Sequence, residues 1–184
     1  MTEETRVVGE YVVRPAEPAD VEGARTLMLD TFYRVLGHGY VPRWHADVID
    51  IEGTYFRTPG HALFVAVRGD RVVGTASVRA DGPKSPPHPA WIAERYPSGP
   101  TAQIFRTYVD PEHRRQGLAT ELVRSACSFI ASVPGYESIY LHTNPAIDGA
   151  EPFWRAIAKE VHDARRDPGH GSTVHFEIPV AGIR

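Results

Sequence analysis

The stretch Val109–Leu122, VDPEHRRQGLATEL, decides how this chain is read. It joins a β-rich run, AQIFRTYV (Ala102–Val109), to an amphipathic run through HRRQGLA, a turn with two arginines and no carboxylate. From Gln116 to about Ser132 the residues Leu118, Leu122, Ala126, Phe129 and Ile130 fall on one helical face. A strand that passes through a tight turn into a helix leaves the first helical N–H groups without partners, at the positive end of the macrodipole. Arg114 and Arg115 add fixed charge there, Gly117 removes a Cβ, and Ala119 keeps the next contact small. Such a turn suits an extended phosphate group such as a pyrophosphate. Spacing alone fits a solvated arginine pair equally well. The Gly-x-x-x-x-Gly-Lys-Ser/Thr and Gly-x-Gly-x-x-Gly phosphate patterns are not found at this turn.

The rest of the composition makes any anion site local. The chain has 184 residues, 42% hydrophobic, which suits one domain over 1–184. A formal net charge of −3 gives no general attraction to nucleic acid or to an anionic bilayer, so neither is expected as a partner. The one cysteine, Cys127, lies among apolar helical positions and reads as a buried core residue in a reducing compartment. MTEETRVVGEY at the start has no apolar leader core, and no run reaches the ~18 apolar residues of a membrane span. A cytoplasmic location is the expectation.

Outward from the turn, the order of elements can be read from periodicity. Tyr11–Arg14 reads as a strand, and Val21, Ala24, Leu27, Met28, Thr31, Phe32 and Val35 mark a helix stopped at Gly37. RWHADVIDIEGTYF places Trp44, Val48, Ile51 and Tyr55 on one helical stripe interrupted at Gly53, with Asp47, Asp50 and Glu52 on other faces, read as solvated, with attraction of a cationic amine as the alternative. ALFVAVRGDRVVGTASV is a hairpin turning at Gly69-Asp70. A Pro-rich loop or lid covers 80–101, where the prolines forbid a central strand. Ser138–Thr143 is a strand, GAEPFWRAIAKEV a helix, and STVHFEIPV a strand with Val174, Phe176 and Ile178 alternating.

TYVDPEHRRQGLATELV resembles the acetyl-CoA-binding signature of the GCN5-related N-acetyltransferase (GNAT) superfamily, Arg/Gln-x-x-Gly-x-Gly/Ala after a strand ending in Val-Asp-Pro. Arg114, Gly117 and Ala119 fill that pattern. YVVRPAEPADVEGA, the Gly-Asp hairpin with VVGTASV, and LHTNPAIDGAEPFW extend the likeness over nearly the whole chain. The resemblance implies an α/β fold: a single domain with a mixed, mostly antiparallel central sheet flanked by helices, and acetyl-CoA between two splayed central strands. It implies acetyl transfer from acetyl-CoA, used as co-substrate without a metal, to a primary amine, here expected on a small molecule. A homodimer is compatible with it. A CoA-binding sensor or interaction domain that has lost catalysis is the alternative reading. The resemblance also implies that the pyrophosphate meets the backbone of Arg115, Gln116, Gly117, Leu118, Ala119 and Thr120. The pantetheine arm would meet the main chain of Tyr108 and Val109 and the amide of Asn144, a residue that also reads as an ordinary turn former before Pro145.

Acyl transfer to an amine whose unperturbed pKa is ~10 requires removal of a proton, and the thiolate must receive one. Many relatives use a Glu in the central strand and a Tyr in the helix after the second CoA strand. These positions hold Gln103 and Trp154, which cannot take those roles. His142, alternating with Leu141, is the candidate for shuttling a proton in the cleft, and Tyr108 is the candidate acid. His142 reads equally as a structural histidine, and a strand tyrosine such as Tyr108 is more often a packing residue. The Val109 N–H, freed where the strand bulges, is expected to polarise the thioester carbonyl. His175 and Glu177 share the non-core face of the final strand and are expected to be exposed, as are Arg165 and Arg166. His88, Trp91 and Tyr96 would line an aromatic lid.

Overall fold

In the computed structural model, which describes residues 5–167 and 171–182, eight strands form one sheet. They are β1 (Arg6–Val8), β2 (Tyr11–Pro15), β3 (Ala62–Arg68), β4 (Arg71–Arg79), β5 (Thr101–Val109), β6 (Ser138–Thr143), β7 (Lys159–Asp163) and β8 (Val174–Ile178). Their spatial order is β1-β2-β3-β4-β5-β6-β8-β7. Every neighbouring pair is antiparallel except β5 with β6. The α-helices are α1 (Val21–Asp30), α2 (Pro42–Ile49), α3 (Ala90–Arg95), α4 (Leu118–Ser132) and α5 (Ala150–Ile157).

Strand alternation divides the sheet into two buried faces. Phe64, Ala76, Ile104, Leu141 and Phe176 pack with α4 through Leu118, Leu122, Ala126 and Ile130, and with Trp154 of α5. Leu63, Val65 and Val67 face the other way, against Val21, Leu27 and Met28 of α1 and Val48 of α2. The expected α4 stripe is therefore the one that is buried, with Phe129 packed at its margin, and Cys127 lies in the same core. Ile92 and Tyr96, on and just after α3, close over Tyr140 on the second face.

The structure departs from the sequence reading at four places in the fold. β1 precedes the first expected strand, and its pairing with β2 through the Gly9-Glu10 turn supplies what three residues could not signal by periodicity. GAEPFWRAIAKEV does not stay helical: α5 ends at Ile157, and Lys159–Asp163 becomes β7, paired with β8. The loop over 80–101 contains α3. In the second helical candidate, Trp44 is 53% exposed while Val48, Ile51 and Tyr55 are buried. There α2 stops at Asp50, whose carboxylate accepts the Gly53 N–H at 2.9 Å, and a π-helical turn follows at Glu52–Phe56.

Leu122 sits at the centre of the α4–sheet contact with no exposed surface, and a Cβ on Gly74 would come within 3.1 Å of its Cδ1. Such a packed site relaxes little when truncated. Leu122→Ala is expected to lower stability by about 2–5 kcal/mol, read as an earlier urea midpoint at unchanged m.

Candidate functional site

The site begins where β5 and β6 part. Their parallel ladder covers only Thr101–Gln103 against Ser138–Tyr140. Beyond it β5 carries a bulge: Ser77 opposes Phe105 and Thr75 opposes Tyr108, so Arg106 and Thr107 share one position of β4. Arg106 takes the left-handed backbone (φ 49°), and its carbonyl accepts the Thr75 hydroxyl at 2.8 Å. A bulge bends its strand and strengthens the local twist, which carries the far end of β5 away from β6. Past the bulge, Asp110 N donates to Val73 O at 2.9 Å beside the Gly74–Val109 pair. By antiparallel alternation the Val109 peptide groups then face away from β4, on the side of the gap, while those of Tyr108 face β4.

From Val109 the chain enters the arginine turn, which is anchored at several points. Asp110 accepts from Glu112 N and from Arg71, and the buried His113 ring meets the Tyr11 hydroxyl at 3.1 Å. Arg114 folds back so that its Nε donates to Val109 O at 3.2 Å, leaving Arg115 as the more exposed of the pair. Arg115 (φ 63°) and Gly117 (φ 79°) both take left-handed backbone, and nothing lies within 4 Å of a Cβ built on Gly117. That concavity opens at the start of α4, whose first backbone bond inside the helix runs from Glu121 N to Gly117 O. Helix geometry leaves the N–H groups of Leu118, Ala119 and Thr120 unused by the helix. Asn144, across the gap after β6, is exposed, and its Oδ1 accepts Ala146 N at 2.9 Å in an Asx turn. Both of its sequence readings are thus compatible, since the turn uses only its carbonyl.

On the α1–α2 face, Arg106 makes a buried ion pair that sequence reasoning missed. Its Nε and Nη2 bond the two Asp47 carboxylate oxygens at 2.9 and 2.7 Å, Nη2 also reaches Trp44 O, and the guanidinium lies 5.2 Å from the Phe32 ring centre. Tyr55 donates to Asp47 at 2.7 Å and accepts from Ser77 at 3.2 Å. Asp47 is therefore not on a solvated face as expected; it is 4% exposed. Burial alone would raise its pKa, but the Arg106 bonds outweigh that and hold it below the usual carboxylate range. The available signal was a single charged residue, Arg106, in the strand Thr101–Val109. Tyr108, partly exposed, packs edge-on against Phe32, and the His45 ring stacks on Phe32 at 3.9 Å with its pKa lowered to about 4 by burial and by Arg106. A cavity of about 260 Å³ beside this pair is lined by Arg43, Trp44, Asp47, Asp50 and Arg79.

On the same face at β6 and β8, four histidines gather. His142 is 4.5 Å from His88 of the lid and 6.0 Å from His175, which is 5.7 Å from His162. His142 does point away from the Leu141 core, as its alternation implied. His175 is fully buried rather than exposed, because the lid and β7 cover it; Glu177 is partly exposed and bonds Tyr96 at 2.6 Å and Arg95 at 3.0 Å. These two bonds fasten α3 to the sheet. His88 and Tyr96 line the lid as expected, while Trp91 is 44% exposed and rests against His162. Arg165 is held outside the site by Asp163 and Glu151. Among the described residues no group of three or more His, Cys, Asp and Glu side chains is disposed to hold a metal ion. No described helix is long and apolar enough to cross a membrane.

A half-open sheet with a helix-start turn at the mouth of the opening is the architecture of an acetyltransferase fold. The sequence model of the Acetyltransferase (GNAT) family matches residues 23–157, and the chain belongs to that family. It is 34% identical over 113 residues to N-acetyltransferase 8 of Mus musculus, 61% of this chain and 44% of that protein. It is 36% identical over 114 residues to N-acetyltransferase 8 of Rattus norvegicus, 61% of this chain and 46% of that one. The chain thus spans less than half the length of these curated relatives. The fold matches a GNAT acetyltransferase of Staphylococcus aureus Mu50 with a TM-score of 0.66 at 14% identity, over 91% of this chain and 99% of that one. It matches the GNAT domain of S. lividans PAT equally, at 0.66 and 18% identity over 95% of each.

The Asp47–Arg106 pair generates a pH-dependent prediction. Because the Asp47 pKa is lower in the folded than in the unfolded chain, its stabilising contribution is complete above the unfolded value of ~3.9 and is lost as pH falls through the folded value. Asp47→Asn, which leaves Arg106 buried without its counter-charge, is expected to lower stability by about 3–5 kcal/mol at neutral pH. The deficit should shrink toward pH ~3, as followed by urea unfolding across pH.

Proposed function

We propose that this chain moves the acetyl group of acetyl-CoA to the primary amine of a small molecule. The observation that carries the reading is the continuity of the β5–β6 gap, the outward-facing peptide of Val109 and the open turn at Gly117. The pyrophosphate fits the turn through the backbone N–H groups of Arg115, Gln116, Gly117, Leu118, Ala119 and Thr120, with the charges of Arg114 and Arg115 in support. The pantetheine arm fits the gap as an added strand on the Val109 edge, with the Asn144 amide opposite. The Val109 N–H would polarise the thioester carbonyl, a contribution that needs no side chain. Tyr108 and His142 are the hydrogen-bonding side chains we assign to the reacting groups, with Tyr108 as the acid for the departing thiolate. The amine nitrogen bonds the acetyl carbon, the carbon–sulfur bond breaks, the amine loses a proton and the thiolate gains one.

The acceptor would approach from the α1–α2 face, beside the cavity at Arg43, Trp44 and Arg79. The curated relatives carry N-acetyltransferase names, which agrees with an amine acceptor.

Isothermal titration with acetyl-CoA is expected to show binding, and its absence at ~1 mM ligand would overturn the reading. Gly117→Asp should abolish that binding, since it places a negative charge at the turn; nothing lies within 4 Å of the new Cβ, and the strain of the left-handed backbone, about 1–3 kcal/mol, is followed separately by urea unfolding. Release of free CoA over a panel of small amines tests transfer; binding with no release from any amine would leave only a CoA-binding domain.

A further inference from the structure

Gln103 stands where many relatives place a carboxylate, and the structure shows what it does instead. It is buried, and its Nε2 lies 3.2 Å from His142 Nδ1. With the amide in this orientation its nitrogen donates, the His142 Nδ1 accepts, and the neutral ring carries its proton on Nε2. Tyr140 acts one ring further on. Its hydroxyl is 2.6 Å from His175 Nδ1 and 3.4 Å from His142 Nδ1, so its stronger hydrogen bond is to His175. The buried Nε2 of His175 has no hydrogen-bond partner.

We infer that Gln103 holds His142 as a neutral Nε2–H donor, so that His142 contributes to acetyl transfer by donating a hydrogen bond to the reacting acyl group rather than by removing the amine proton. The inference rests on the acetyl-transfer reading above for its substrate and on the Gln103 geometry for its direction. The Gln103 bond goes to Nδ1, which leaves Nε2 for a ligand, and His142 is partly rather than fully buried. None of the described groups against it is a carboxylate. They are His88 on the lid, Gln103 and Arg106 on β5, Tyr140 on β6 and His175 on β8. Loss of hydration, then His88, His175 and Arg106, push the His142 pKa well below the usual imidazole value. Burial with His88 and His162 lowers that of His175 to about 3. A histidine kept neutral at working pH is a poor base but a competent donor to a developing oxyanion.

In this scheme Gln103 is a positioning residue. A glutamate at 103 would reverse the arrangement: its carboxylate would accept from Nδ1–H, move the free lone pair to Nε2 and raise the imidazole pKa. The two chemistries differ in their pH dependence. A neutral donor leaves kcat/KM to rise with pH in step with the fraction of unprotonated amine. A basic histidine adds its own inflection near ~6.5.

The test is nitrogen-15 NMR of the histidine rings in the intact protein, with a pH profile of kcat/KM beside it. The expected result is an Nε2–H signature for His142 that does not titrate between pH ~5.5 and ~8, and a rate profile without a histidine limb. Gln103→Glu should shift the signature to Nδ1–H and introduce an inflection in that range. His142→Gln, which keeps an N–H donor, should retain more activity than His142→Ala, expected to fall by about 10²-fold. An Nδ1–H tautomer in the unaltered protein, or an imidazole titrating near ~6.5, would overturn the inference. The NMR measurement needs no acyl donor, so failure of the tautomer and failure of the acetyl-transfer reading are separate results.

Discussion

The bulge at Arg106 is the constraint on which the working part of this fold depends. Two residues of β5 occupy the space of one on β4, and one of them must adopt a left-handed backbone that costs about 1–3 kcal/mol for a residue with a Cβ. What holds it there is the side chain of that same residue. Arg106 is bonded to both oxygens of a buried aspartate and to the Trp44 carbonyl, so the strained backbone and the buried charge fix each other. β5 consequently leaves β6 after Gln103, α2 is tied to the sheet, and the Val109 peptide faces an opening instead of a neighbouring strand.

Much of this was legible in the sequence, for identifiable reasons. Elements governed by one strong periodicity were read correctly: the α4 stripe, the β3–β4 hairpin at Gly69-Asp70, and β6 to the residue. The turn at Arg114–Ala119 was legible because strand, turn and helix signals coincide there with charge. What was not legible is what depends on contact between distant segments. Asp47 looks like any solvated helix carboxylate until Arg106, 59 residues away, is seen to cap it. His175 looks exposed because its strand alternates, and only the lid and β7, neither evident as cover, bury it. β7 itself was hidden in a continuous helical pattern, since Lys159–Asp163 acquires its strand character from the β8 ladder.

The two sides of the opening differ in how they treat charge. The turn concentrates it: Arg115 is exposed and the dipole of α4 adds to it, which suits a ligand that brings its own negative charge. The histidine side removes it, since His88, His142 and His175 all have lowered pKa values, His88 through burial and the other two through burial and neighbouring rings. Gln103 belongs to that second design. A carboxylate at its position would have to be desolvated among the same rings, whereas an amide is neutral and still supplies the bond that orients His142.

The strand order also has a consequence for how the protein is made. β8 is later in the chain than β7 yet lies between it and β6. During synthesis the ribosome releases β1 to β6 while one margin of the growing sheet, with Ile139 and Leu141 still unmatched, waits for Val174–Ile178. An unmatched apolar margin invites pairing with another nascent chain. Until Val174–Ile178 is available, the β6 margin has no partner on that side.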